Sequence, residues 1–252
     1  RKLELYVDSK RFGRVWVGQG DTASNGSSEV DLSGTAVIAP SKVNNMAGGL
    51  IFSRAGAQPL AGDPTIGRAF SNLDGLSRDD RIRYDTPSFR GFKASASAIA
   101  GGRWDVAGRY SGELLDTKLA AAVAYWERVG SHGVSGSISG RHTSGLNLTF
   151  AAGKRDFNAV GRKDSSFFYV KLGYLGKFFP KLGNTALSVD YFNGDDQSAT
   201  GDDAQSYGAF IVQNFDRVAT ELYLGGRVYD LDRPGVRFQN IVAVLSGARI
   251  KF

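Results

Sequence analysis

Four arginines occupy segments in which charged and apolar residues alternate: Arg14, Arg81, Arg83 and Arg109. The long stretch of residues 20–80 supplies four acids: Asp21, Glu29, Asp31 and Asp63. Guanidinium and carboxylate groups that face each other across a narrow wet passage create a transverse electric field. Such a field orients dipolar solutes and sorts ions. The alternative is that each charged side chain has no role in selectivity and simply lies on a surface that is in contact with water in any case.

Three aromatic residues fall on the polar side of the same alternation. Trp16 lies between Val15 and Val17, and we expect it to pack under the long stretch of residues 20–80. The alternative role is a stacking platform for a sugar or an aromatic solute. Phe167 and Tyr169 raise the same question with less force.

Catalytic and metal-binding chemistry finds little support. The chain has no cysteine and only two histidines, His132 and His142. It has no nucleophile elbow, phosphate-binding loop or paired-histidine zinc motif. The acidic stretch of residues 193–203 lacks the fixed ligand spacing of a calcium site. We therefore predict no enzyme activity, no metal and no cofactor.

Period-two alternation, which is typical of strands with two different faces, recurs along the chain. At its start, Leu3, Leu5 and Val7 alternate with polar residues or tyrosine. We count about thirteen such strands in all, and the last covers residues 238–252. The strands run nearer 9–11 residues than the 5–6 common in soluble sheets. Outside the long stretch, no segment has a convincing helical period. The pattern predicts an all-β chain in one domain, residues 1–252.

The two faces of these strands suit two different solvents. One face is small or aliphatic in mid-strand and aromatic near the strand ends, whereas the other carries Lys, Arg, Asp and Ser. This distribution favours a transmembrane antiparallel β-barrel with a wet lumen over a soluble all-β protein. No apolar run approaches the length of a membrane-spanning helix. The net charge of +6 is spread along the chain, so we predict no nucleic-acid partner.

Connections between the strands alternate in kind. Tight links at residues 8–13, 85–91, 111–117, 140–145, 177–184 and 214–218 are predicted at one end of the barrel. The other connections are generally more hydrophilic, and residues 20–80 form by far the longest. Short turns on one side and longer loops on the other are typical of outer-membrane barrels.

Four segments carry a resemblance to a known family. Residues 242–252 (VAVLSGARIKF) end in Phe252 and resemble the terminal signal that the bacterial barrel assembly machinery reads. Residues 12–18 (FGRVWVG), 83–92 (RYDTPSFRGF) and 206–216 (SYGAFIVQNFD) are similar to segments of general bacterial outer-membrane porins. Their order and spacing extend the resemblance over the whole chain.

The resemblance implies a 16-stranded barrel, usually a homotrimer, whose third outer loop folds into the lumen as a constriction. Residues 20–80 correspond to that loop, which makes the first strand of this chain the fourth of the family. We therefore expect the chain to be part of a longer porin that has three further strands at its start. A complete barrel of twelve or fourteen strands is the alternative.

The implied function is passive diffusion of small hydrophilic solutes and ions through an integral outer-membrane channel of a Gram-negative bacterium. Outer-membrane lipid and lipopolysaccharide are the implied partners besides the solutes. Three alternatives stay open: a substrate-specific channel, a non-conducting structural or adhesion barrel, and a soluble all-β binding protein.

Overall fold

The computed structural model describes residues 2–251. Fourteen strands account for most of them: β1 (Leu3–Ser9), β2 (Gly13–Asp21), β3 (Arg78–Asp85), β4 (Phe92–Ile99), β5 (Arg103–Leu114), β6 (Thr117–Arg128), β7 (Ser131–His142), β8 (Leu146–Phe157), β9 (Ser165–Phe179), β10 (Gly183–Asp195), β11 (Asp203–Phe215), β12 (Thr220–Arg233), β13 (Val236–Arg237) and β14 (Ile241–Ile250). The helical elements of this range are a short helix α1 (Ile66–Ala69) and two 3₁₀ turns, Val43–Asn45 and Asp216–Val218. No helix within residues 2–251 is long and apolar enough to cross a membrane.

The strands form one antiparallel sheet in which β1 to β12 each pair with the next strand along the chain. The two-residue β13 pairs with the end of β12, and β14 pairs with the length of β12. Within residues 2–251, β1 and β14 are the two edges of the sheet. The all-β prediction is confirmed, and the predicted thirteen strands match the observed ones apart from β13.

Each strand presents one face to the loop of residues 22–77 and the other face away from it. On β2 and β3 the outward side chains include Val17 and Ile82, which are 51% and 57% exposed. They oppose each other in the strand register, while the inward Trp16 opposes Arg83. The alternation along the chain therefore predicted the faces of these strands correctly.

The connections lie at two ends of the sheet. Residues 10–12, 86–91, 115–116, 143–145, 180–182 and 216–219 link strands at the turn end. Residues 22–77, 100–102, 129–130, 158–164, 196–202 and 234–240 link them at the loop end. The loop at residues 129–130 is very short, because the ladder of β6 and β7 continues to the pair Arg128 and Ser131.

Two predicted boundaries change for physical reasons. The long loop covers residues 22–77 rather than 20–80, because Gly20 and Asp21 pair with β3. The last strand begins at Ile241 rather than at Phe238, because the Phe238 ring packs 5.9 Å from that of Phe52 in the long loop. The predicted assembly signal at Phe252 lies outside the described residues.

The apolar core lies between the long loop and the inner face of the sheet. Phe52, Ile66 and Phe70 from the loop pack with Phe192 and Tyr229 from the wall, and all five are fully buried. The ring centroids of Phe70 and Tyr229 are 5.1 Å apart at a near-perpendicular angle, a favourable aromatic arrangement. Burial of these rings fixes the loop against the wall.

Candidate functional site

A row of wall hydroxyls holds the backbone of the long loop. Ser97 Oγ accepts from the backbone N–H of Ala23 at 2.7 Å. The next anchors, on β7 and β10, are Ser137 to Val30 N at 2.9 Å, Ser139 to Leu32 N at 2.9 Å, Ser135 to Ser27 at 2.9 Å and Ser188 to Thr35 at 2.9 Å. Because these anchors span β4 to β10, the loop runs along the inner face of the wall rather than out into solvent.

Asp105 on β5 is the main anchor for the start of the loop. Its carboxylate accepts hydrogen bonds from Ala23 N at 3.2 Å, from Ser24 N at 2.9 Å and from Ser24 Oγ at 2.5 Å. The residue is fully buried. The sequence pattern placed Asp105 on the inner face, but nothing local in the sequence indicated that it binds loop backbone.

Arg83 and Arg109 bind carbonyl groups at the same point. Arg109 Nη2 donates to Ala23 O and to Asn25 O, both at 2.8 Å, while its buried Nη1 has no partner among the described residues. Arg83 Nη1 donates to Thr22 O at 3.0 Å, and its Nε binds Asp85 at 2.8 Å. The two arginines therefore fix the loop entry while staying half-buried on the inner face.

Arg81 and Arg14 are more fully engaged with their neighbours. Arg81 is buried, ion-paired with Glu4, and donates to Gly18 O at 3.0 Å. Arg14 pairs with Asp8 at 2.9 Å and lies half-buried. Arg81 thus braces β1, β2 and β3, whereas Arg14 keeps partial contact with water.

Trp16 is held by neighbouring strands. Its Nε1 donates to Asp85 at 3.0 Å, and its ring lies 4.9 Å from that of Tyr6. The guanidinium of Arg14 lies 5.0 Å from the same indole. These contacts come from β1, β2 and β3, so the packing partner that we expected in the long loop is replaced by Tyr6 and Arg14.

Phe167 and Tyr169 are covered. Phe167 stacks on Phe192 with centroids 5.9 Å apart, and Tyr169 donates to Asp190 at 2.9 Å. Both are buried, so neither presents a face to a passing solute.

Two of the four acids that we predicted in the long loop have buried, ion-paired side chains. Asp31 pairs with Lys171 at 2.5 Å, and both side chains are almost completely buried. Asp63 pairs with Arg54 at 2.9 Å and accepts Leu60 N at 2.7 Å. The hydrogen bonds from Arg54 and Leu60 hold the pKa of Asp63 below its ordinary value.

The other two acids keep contact with water. Asp21 pairs with Lys2 and with Arg78, the latter at 3.3 Å. Glu29 accepts Asn72 Nδ2 at 3.0 Å. Desolvation of its carboxylate by neighbouring atoms, together with the nearby Asp74 carboxylate, raises the pKa of Glu29. Within residues 2–251 Glu29 forms no ion pair.

A buried polar network under the loop was not identified from the sequence. Asp190 pairs with Arg227 at 2.6 Å, and Tyr169 and Lys171 both donate to the carbonyl of Ala39. The two pairs Asp190–Arg227 and Lys171–Asp31 join β9, β10 and β12 to the loop. The available signal was the inward position of Lys171 and Asp190, which oppose each other in the register.

The acidic outer loop is also internally paired. Asp202 binds Arg233 at 2.6 Å and Ser198 at 2.5 Å. No group of three potential metal ligands is present within residues 2–251. These acids therefore stabilise the loop of residues 196–202.

Two belts of aromatic pairs surround the outward face. At the loop end, Trp104 packs on Tyr125 at 5.3 Å and Phe168 on Tyr191 at 5.7 Å. At the turn end, the pairs are Phe92 with Tyr110 at 4.6 Å and Tyr174 with Phe178 at 5.7 Å. The side chains between the belts are exposed and aliphatic: Val106, Val123, Val134, Ile138, Leu148, Val170, Leu172 and Val189. An apolar band between two aromatic girdles is the surface that a membrane-spanning barrel presents to lipid.

The fold and this surface define an integral outer-membrane β-barrel protein. The family profile described as Gram-negative porin matches residues 1–234, and the chain belongs to that family. It is thus an outer-membrane channel protein of the porin class. Comparison with curated protein sequences finds no match.

Solved outer-membrane proteins share the fold at low sequence identity. An anion-selective porin from Comamonas acidovorans is 16% identical with a TM-score of 0.61, and the match covers 100% of this chain and 78% of that one. OprB of Pseudomonas putida is 10% identical with a TM-score of 0.62, covering 98% and 72%. The outer-membrane OmpT of Vibrio cholerae is 12% identical with a TM-score of 0.57, covering 98% and 78%.

Proposed function

We propose that this porin passes small hydrophilic solutes and ions by passive diffusion, with selectivity set by charges beside the loop of residues 22–77. The observation that carries the proposal is the course of this loop along the inner face, anchored from Ser97 to Ser188. A loop fixed in this position narrows a lumen. The proposed activity needs no chemical reaction, enzyme machinery or cofactor.

The predicted constriction residues divide into two groups by exposure. Arg14, Arg83 and Arg109 are half-buried on the inner face, and Glu29 is exposed. We assign solute contact to these four and to the partly exposed Asp21. We assign a positioning role to the three side chains that are themselves buried and ion-paired: Arg81, Asp31 and Asp63.

The charges in solute contact give a modest preference for anions. Three guanidiniums face two carboxylates; Arg14 and Arg83 are each paired with an aspartate, and Asp21 is paired with two cations. Rings of charged side chains select permeating ions by electrostatic attraction and repulsion. The similarity to a porin described as anion-selective agrees with this preference for anions.

The test uses single channels in a planar bilayer under a potassium chloride gradient. A stable open conductance with a reversal potential of anion-selective sign is expected. Since the chain has no cysteine, the E29C variant offers one defined thiol. A cationic methanethiosulfonate reagent should reduce its cation current, because the reagent adds a positive charge beside the pathway.

The matched control is V123C, which places the thiol on the outward face of β6. Its current should not respond to the same reagent. A barrel that inserts but never conducts would refute the diffusion function. An E29C channel that conducts but whose current does not respond to the reagent would refute the assigned position of the loop.

We also propose a homotrimer in outer-membrane lipid and lipopolysaccharide, as the family resemblance implies. The outward side chains of β4 are small and exposed, namely Ala94, Ala96 and Ala98, and they offer a flat face for close contact. Light scattering of the detergent-solubilised protein should give three times the chain mass. A monomer mass under mild detergent would contradict this assembly.

A further inference from the structure

Three arginine side chains gather on the inner face at the loop end of the wall. Arg128 ends β6, Arg155 lies near the end of β8, and Arg162 lies in the following loop. The strand register brings Arg155 beside Trp126, because Gly133 of β7 opposes both, while Ser131 of β7 opposes Arg128. This group, the mouth arginines, is separate from the arginines at the start of the long loop.

The fully buried indole of Trp126 supports the group. Its ring centroid lies 5.5 Å from Arg128 Cζ and 5.4 Å from Arg155 Cζ. A side chain at Gly133 would collide with it, since a Cβ there would lie 2.4 Å from the indole. The glycine thus lets the indole lie against the wall, and the indole in turn attracts both cations.

The charge of the mouth arginines is not compensated. Within residues 2–251, no carboxylate lies within ion-pair distance of Arg128, Arg155 or Arg162. Arg103, which opposes the Arg128 end of the same wall, does have such a partner, Asp79 at 2.5 Å. Three like charges without an acid repel one another, so their proximity is unfavourable unless an anion joins them.

Arg128 Nε donates to Ser131 Oγ at 3.0 Å and Arg162 Nη2 to Gln197 O at 3.3 Å, but two other donors at this place lack acceptors. Arg155 Nε and Trp126 Nε1 are buried, and neither has a hydrogen-bond partner among the described residues. A buried donor without a partner is unfavourable, so a bound acceptor would stabilise this arrangement. Arg162 is exposed, and Arg128 and Arg155 are half-buried, so a solute reaches the guanidiniums from the water at the mouth.

We propose that the mouth arginines form a binding site for small oxyanions, such as phosphate or a carboxylate-bearing solute, at the outer entrance of the lumen. Guanidinium groups offer paired N–H donors that match the oxygens of these anions. The site concentrates anionic solutes before they reach the constriction. It is a property of β6, β8 and the loop of residues 158–164, and it goes beyond the proposed diffusion function.

The first test measures binding of radiolabelled inorganic phosphate to the detergent-solubilised protein by equilibrium dialysis. Saturable binding is expected, and the R128Q/R155Q variant should bind at least ten times more weakly. R155K keeps the charge and should retain intermediate affinity. R217Q removes an exposed arginine at the opposite end of the barrel and should bind as the unmodified protein does.

Far-UV circular dichroism melting verifies that each variant is folded, and R128M/R155M, which also removes both charges, replaces R128Q/R155Q if the latter does not fold. Equal phosphate affinity in R128Q/R155Q and R217Q would overturn the proposal. Absence of saturable binding in the unmodified protein would overturn it as well.

The second test separates this site from the diffusion function. Phosphate added on the loop side should reduce the chloride current through the unmodified channel and have no such effect on R128Q/R155Q. A channel that conducts without phosphate binding refutes the oxyanion site alone. Phosphate binding by a protein that never conducts refutes the diffusion function alone.

Discussion

Removing the carboxylate of Asp105 should release the start of the long loop. Asp105 is fully buried and accepts three hydrogen bonds from Ala23 and Ser24. In D105A the backbone N–H of Ala23 keeps Ser97 as acceptor, but the N–H of Ser24 is left without one. A buried donor without a partner costs about 1–3 kcal/mol, and the lost charge-assisted bond from Ser24 Oγ adds about 1.5–3 kcal/mol.

The loop attachment should therefore weaken by about 2.5–6 kcal/mol, without loss of the sheet, whose ladders do not involve this carboxylate. Single-channel recordings of D105A should show increased open-channel noise and a changed conductance. D105N, which keeps one acceptor oxygen, should lie between D105A and the unmodified channel. Identical conductance and noise in all three proteins would refute the conclusion that Asp105 positions the loop.

Three further predictions concern the buried pair, the exposed loop acid and the lipid face. D31N leaves the buried ammonium of Lys171 without its counter-charge, so the free energy of unfolding measured by urea titration should fall by about 3–5 kcal/mol; an unchanged value would contradict the pair. The pKa of Glu29 is raised above its ordinary 4.5. As the pH is lowered, Glu29 should therefore become neutral before pH 4.5 is reached, and the anion selectivity of the channel should increase. The same raised pKa means that the folded protein loses stability as pH rises past 4.5 toward the folded pKa, and E29Q should abolish both effects; an identical pH profile in E29Q would refute the assignment. V123K places an ammonium midway along β6 on the lipid face and should destabilise the membrane-inserted barrel by about 2–4 kcal/mol, whereas a charge that leaves the unfolding midpoint unchanged would contradict the lipid-facing assignment.

The path of the long loop explains why the predicted packing of Trp16 needed revision. Trp16 was expected to pack beneath this loop, and its indole instead meets Tyr6 and Arg14. The loop follows the serines of β7 and β10, which are distant in sequence and carry no local pattern that distinguishes an anchor from a solvated wall residue. An inward serine that binds the loop cannot be distinguished in the sequence from one that contacts only water, because the distinction depends on where the loop N–H groups lie.

The predicted constriction residues also show what the sequence pattern could not distinguish. Alternation placed Arg81 and Arg83 correctly on the inner face, because side-chain direction in a strand follows from a period of two. It gave no basis for separating the buried Arg81, paired with Glu4, from the half-buried Arg83. Their difference comes from the neighbouring strand β1, whose register brings Glu4 opposite Gly18.

The sequence by itself determined the strands, their two faces, the aromatic belts and the membership of the porin class. These properties are local or periodic, since lipid on one side and water on the other constrain every second residue. Only the tertiary structure decided which charges remain in contact with water. Asp31 and Lys171 are 140 residues apart, and they meet because the loop crosses the wall at β9. The same is true of the mouth arginines, which come together through the register of β6, β7 and β8 and not through their spacing in the chain.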